Sequence, residues 1–89
     1  MLPTNRINTH PGVVLLKDFI EPAGLSQTAV AKKLKISTNR LNELVRGRRG
    51  VTPDTAWKLS ALFSTSPEFW MNLQSAHDLT KARPRKRAA

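Results

Sequence analysis

Apolar residues fall at helical spacing along most of the chain, and no stretch sustains the residue-by-residue alternation of a strand. In residues 11–21, Val13, Leu16 and Ile20 share one stripe with Leu15 and Phe19 beside it, and Pro22 and Gly24 end the pattern. A second run lies behind Ser26 and reaches Leu34, burying Val30, Ala31 and Leu34. A third lies behind Ser37 and reaches Arg46, burying Leu41, Leu44 and Val45 before Gly47 stops it. Residues 53–63 place Ala56, Leu59 and Phe63 in register, with Trp57 read as a further core residue. Residues 67–81 carry Phe69, Trp70, Leu73 and Ala76. The pattern predicts an all-α fold of five helices.

The expected helix starts carry residues suited to them. Thr9-His10-Pro11, Thr52-Pro53-Asp54 and Ser66-Pro67-Glu68 each put proline into a first turn, where its missing N–H has no partner to lose. Thr52 and Ser66 can accept a hydrogen bond from that turn, and Asp54 and Glu68 sit at the positive end of the helix dipole. His10 precedes or caps the first helix.

Only Lys35 and Ile36 separate the second helix from the cap of the third. Short helices on so tight a turn cross steeply, which is the form of a helix-turn-helix unit, here residues 26–46. A steep crossing needs a small side chain where the helices meet, and Ala31 supplies it. Val30, Leu34, Ile36, Leu41 and Leu44 make the underside continuously apolar. Lys35 occupies the turn position where glycine is usual, so a positive φ is expected there at a cost of roughly 1 kcal/mol.

The other face of the third helix shows Thr38, Asn39, Arg40, Asn42, Glu43 and Arg46. Asn can make two hydrogen bonds to adenine, Arg two to guanine, and Glu can accept from cytosine. Thr38, Asn39, Arg40 and Glu43 lie in the first two turns and are the candidate base readers of double-stranded DNA. The alternative is a solvated face with an Arg40–Glu43 ion pair. Candidate phosphate contacts flank the readers: Gln27 in the first turn of the second helix, Lys35 and Ser37 in the turn, and Arg46, Arg48 and Arg49 beyond.

Composition supports a polyanion partner. The net charge is +9, from 15 Lys and Arg against 6 Asp and Glu. Five of those 15 lie in KARPRKRAA, residues 81–89, read as an unfolded basic tail behind a domain of residues 9–80; residues 1–8 are read as an arm. A chain of 89 residues buries a limited core. With no cysteine, neither a disulfide nor a thiolate metal site can reinforce it, so helix packing aided by self-association is expected. The longest apolar run, Val13 to Leu16, is far short of the roughly 20 residues that cross a bilayer, so a cytoplasmic protein without a membrane partner is expected. Two histidines far apart, and neither paired carboxylates at useful spacing nor a glycine-rich phosphate loop, argue against an enzyme, a cofactor or a small-molecule substrate.

The stretches HPGVVLLKDFIEPAGLSQTAVAKKL and NRLNELVRGRRGVTPDTAWKLSALFSTSPEFWMNLQ closely resemble the HigA-type antitoxins of bacterial toxin–antitoxin modules, within the phage-repressor-like (XRE) helix-turn-helix group. The resemblance covers residues 9–80. It implies a five-helix repressor-like fold and a homodimer on a palindromic operator in its own promoter. It also implies tight binding of a HigB toxin, a RelE-like ribonuclease. Lys35 and the basic tail depart from the family pattern. A stand-alone repressor without a toxin is the alternative. Helix five carries more apolar surface than a four-helix repressor core needs; Phe69 is assigned to the core, and Trp70, Met71, Leu73 and His77 to the contact between subunits. Such a dimer would set two reading helices about 34 Å apart, one turn of DNA.

Overall fold

The computed structural model describes residues 9–84. The expected arm, residues 1–8, and residues 85–89 of the basic tail lie outside the described residues. Helix α1 opens as an α-helix over Pro11–Val14 and continues unbroken as a π-helix over Leu15–Ile20. It is followed by α2 (Gln27–Leu34), α3 (Thr38–Val45), α4 (Pro53–Phe63) and α5 (Pro67–Lys81). Among the described residues there is no strand.

Each helix begins at a cap. Ser26, Ser37, Thr52 and Ser66 are extended, and their side-chain oxygens accept from the N–H groups of Ala29, Arg40, Thr55 and Phe69. Each such cap is worth about 1 kcal/mol against alanine. At α1 the cap is His10, whose Nδ1 accepts from the Gly12 N–H at 2.9 Å. The ends are as well defined. Arg48 N–H returns to the Glu43 carbonyl and Gly47 N–H to that of Leu44, with Gly47 left-handed at φ 77°. Lys35 closes α2 in the same way at φ 60°, with Ile36 N–H on Ala31 and Lys35 N–H on Lys32. The positive φ expected of Lys35 is therefore present, in the place of the glycine that this helix ending favours.

Helix α1 departs from the expected stripe. Leu15 and Ile20 are buried, Leu16 is half-buried, and Val13 is exposed. The π winding explains the shift. Its N–H groups reach back five residues, as Glu21 does to the Leu16 carbonyl at 2.9 Å, so inward positions recur at i and i+5 rather than at i, i+3 and i+4. Gly12 lets the start of α1 lie directly on the end of α3, since a Cβ there would overlap the Leu44 carbonyl oxygen.

All five helices feed one core: Leu15 and Ile20, Val30, Ala31 and Leu34, Leu41 and Leu44, Ala56 and Leu59, and Trp70. Three expectations are corrected here, the first being Phe69, assigned to the core but 37 % exposed, with one edge against Trp70. Trp57, read as core, is 66 % exposed, because α4 turns Thr55, Ala56 and Leu59 inward and leaves Trp57 outside that stripe. Trp70, assigned to a subunit contact, is 0 % exposed within its own chain. Its ring packs against Phe19 and Phe69, and its Nε1–H donates to Thr65 Oγ1 at 2.6 Å.

Helices α2 and α3 pack on one another, and Ala31 is buried. Ala31→Leu is expected to destabilise the domain by about 1–3 kcal/mol through overpacking. An unchanged urea midpoint would mean that the crossing has room to spare.

Candidate nucleic-acid interface

The core grips α3 by Leu41, Leu44 and Val45, which leaves its other positions to solvent. Thr38 and Asn39 are exposed, and Arg40, Asn42 and Glu43 are half-buried. Ser37 holds the first turn through its bond from Arg40 N–H at 3.0 Å, so the residues expected to meet bases sit on a rigid helix end rather than a loop.

Two polar links shape this surface. Asn42 Nδ2 donates to Gln27 Oε1 at 3.4 Å, tying α3 to the first turn of α2. Glu43 does not pair with Arg40. Its Oε1 accepts from Nε and Nη2 of Arg49 at 3.1 and 2.9 Å. Both partners of that ion pair are substantially exposed, so it adds little to stability. Its consequence is positional, because it draws one loop arginine toward the reading helix. The other expected phosphate contacts surround the same helix. Lys35 and Ser37 are exposed in the turn before it, Arg46 caps its end, and Arg48 is exposed in the loop that follows.

On the far side of that loop stands His10. Burial, and then His77, push its pKa below the ordinary 6.5, with Asp78 opposing and Lys81 adding to the depression. The neutral ring is the form that can accept from Gly12, so the cap and the lowered pKa agree. The residues assigned to a subunit contact are not gathered on one patch. Trp70 is core, Leu73 is half-buried, and His77 meets the His10 ring edge-on at 4.8 Å. Met71 instead lines a shallow groove with Pro53, Trp57 and Pro67. Among the described residues, no group of three or more His, Cys, Asp or Glu could hold a metal ion, and no helix is long and apolar enough to cross a membrane.

The helix-turn-helix family profile matches residues 16–70, from the π segment of α1 to the first turn of α5. The chain is 43% identical over 79 residues to Virulence-associated protein I of Dichelobacter nodosus, covering 89% of this chain and 73% of that protein. It is 37% identical over 86 residues to Antitoxin HigA-1 of Vibrio cholerae, covering 96% of this chain and 80% of that one. The solved structure of Pseudomonas aeruginosa antitoxin HigA with the higBA promoter superposes with a TM-score of 0.82 at 41% identity, covering 84% of this chain and 82% of that one. The chain belongs to the HigA family of helix-turn-helix antitoxins.

In this HigA-family chain, sequence reasoning passed over two polar side chains that make hydrogen bonds beside the site. Asn42 was visible on the polar face, but its pairing with Gln27 spans 15 residues and needs the crossing angle of α2 and α3. Gln74 left a clearer signal. It stands four residues after Trp70, on the inward stripe of α5, where an apolar side chain is the ordinary choice.

Proposed function

We propose that this chain is the antitoxin of a type II toxin–antitoxin module, which dimerises, represses its own operon and neutralises a RelE-like mRNA-cleaving toxin. In this reading α3 of each copy enters the major groove. Thr38, Asn39, Arg40 and Glu43 read bases, while Gln27, Lys35, Ser37, Arg46, Arg48 and Arg49 hold phosphates. The observation that carries it is the outward polar face of α3, clamped by the core on one side and by the Ser37 cap at its start, in a chain of net charge +9. That a HigA relative of the same fold is solved with promoter DNA supports the DNA partner.

The test is a titration of the chain with its own promoter fragment, alongside co-purification with the product of the neighbouring gene. Arg40→Ala is expected to lose about 1–3 kcal/mol of specific binding and to keep its affinity for unrelated DNA. Arg48→Ala is expected to weaken all sequences alike and to flatten the salt dependence by about one unit of slope. Equal effects from the two would overturn the division of roles. A promoter complex without a co-purifying toxin would leave a stand-alone repressor.

The dimer is supported by exposed apolar surface at the groove between α4 and α5, where Trp57 and Met71 lie together. An indole buried at the centre of an interface typically contributes 2 kcal/mol or more, so Trp57→Glu is expected to weaken self-association by at least ~30-fold in sedimentation velocity. A variant that sediments like the parent would place the seam elsewhere.

A further inference from the structure

The loop carrying Arg48 and Arg49 is fastened to α5 at its end. Its start lies near His10, since a Cβ built on Gly47 would stand 3.7 Å from that ring, which meets His77 of α5. At its end, Gln74 of α5 reaches across, and its Oε1 accepts from the buried Val51 N–H at 2.7 Å. The other half of that carboxamide is also used, because Nε2 donates to Asp78 Oδ1 one turn later at 2.9 Å. Gly50 lies on the same amide, and a Cβ there would come within 3.1 Å of it. Gln74 is 9 % exposed, and among the described residues no buried side-chain nitrogen or oxygen lacks a partner.

We infer that Gln74, oriented by Asp78, is a positioning residue for DNA binding: it fixes the loop so that Arg48 and Arg49 meet the phosphate backbone in register with α3. This rests on the phosphate-contact reading of those two arginines. The chemistry is directional. Asp78 can only accept from Gln74, so it sets which way the amide lies and turns Oε1 toward Val51. Val51 is itself anchored in the core, so the backbone at the loop's end is held by one apolar and one polar contact. An apolar side chain at position 74 would fill the same space and leave the Val51 N–H without an acceptor, freeing the loop to shift away from α5.

The test uses the full chain, its own promoter fragment and a salt series. Gln74→Met keeps the bulk and removes both hydrogen bonds. It is expected to bind the promoter about 10-fold more weakly and with a shallower salt slope, as two loosened phosphate contacts require. The double variant Gln74→Glu with Asp78→Asn inverts the polarity of the pair at unchanged net charge. The new carboxylate accepts from Val51 N–H and from the new amide, so binding is expected to return to within about twofold of the parent. In an Arg48→Ala, Arg49→Ala background, Gln74→Met is expected to cost nothing further, because the arginines it positions are gone.

Parent-like affinity and slope in Gln74→Met, or a loss that adds in full to that of the arginine variant, would overturn the role of Gln74 alone. An arginine variant with an unchanged salt slope would instead remove the phosphate contacts and the inference together. If Gln74→Met fails to fold, Gly50→Ala perturbs the same contact from the exposed loop. It is expected to weaken binding about threefold with the same shallower slope, and parent-like binding by it would also overturn the proposal.

Discussion

Replacing Trp70 by alanine is expected to unfold the domain, not to divide a dimer into folded monomers. The side chain is fully enclosed, with ring centroids 5.1 Å from Phe19 on α1 and 5.0 Å from Phe69 on α5. Phe19 in turn meets Phe63 at the end of α4 at 5.3 Å, so one aromatic cluster joins three helices. Truncating such a residue costs about 3–5 kcal/mol. Total stabilities run at roughly 0.05–0.15 kcal/mol per residue, so a domain this small has little beyond that to lose. Removing the ring also strands the Thr65 hydroxyl that accepts from the indole N–H. Far-ultraviolet circular dichroism at ambient temperature should show the helices lost. A helical variant with a parent-like urea midpoint would return Trp70 to the surface.

Gly12→Ala is expected to lower stability by about 3 kcal/mol, at the upper end of overpacking effects, because the added methyl meets backbone instead of a side chain that could turn aside. The atoms it would strike are the Leu44 carbonyl and the Val45 Cα, both in the last turn of α3. For a domain of this size that loss corresponds to a melting temperature lower by roughly 12 °C or more. The same displacement would tilt the reading helix against α1, so promoter affinity should fall with stability rather than independently of it. An unchanged melting temperature would show that α1 and α3 are farther apart than the geometry indicates.

Gly12 also shows where sequence reading reached its limit. His10-Pro11-Gly12 was legible as a helix start, but the need for glycine arises from Leu44 at the end of α3, 32 positions further along the chain. Boundaries were legible wherever a local rule fixed them. Ser26, Ser37, Thr52 and Ser66 cap as their spacing predicts, and Lys35 adopts the left-handed form expected of the residue that ends α2 before so short a turn. The π winding of α1 was not legible, since the expected stripe through Val13, Leu16 and Ile20 presumes ordinary helical pitch. Trp57 and Trp70 were exchanged because both are large and apolar: the face that α4 turns to the core leaves Trp57 outside, while the packing of α5 on α1 encloses Trp70. At the candidate interface, the polar face of α3 followed directly from periodicity. The Glu43–Arg49 pair and the Gln74 link did not, because each joins the α3–α4 loop to a different element by a contact that periodicity does not encode.

The two indoles in opposite settings make the molecule its own optical instrument. Trp70, dry and hydrogen-bonded, should emit at the blue edge of the spectrum and shift only when the chain melts. Trp57, in water, should emit to the red and be quenched by acrylamide until something covers it. Folding and assembly can thus be followed in one cuvette, without a dye.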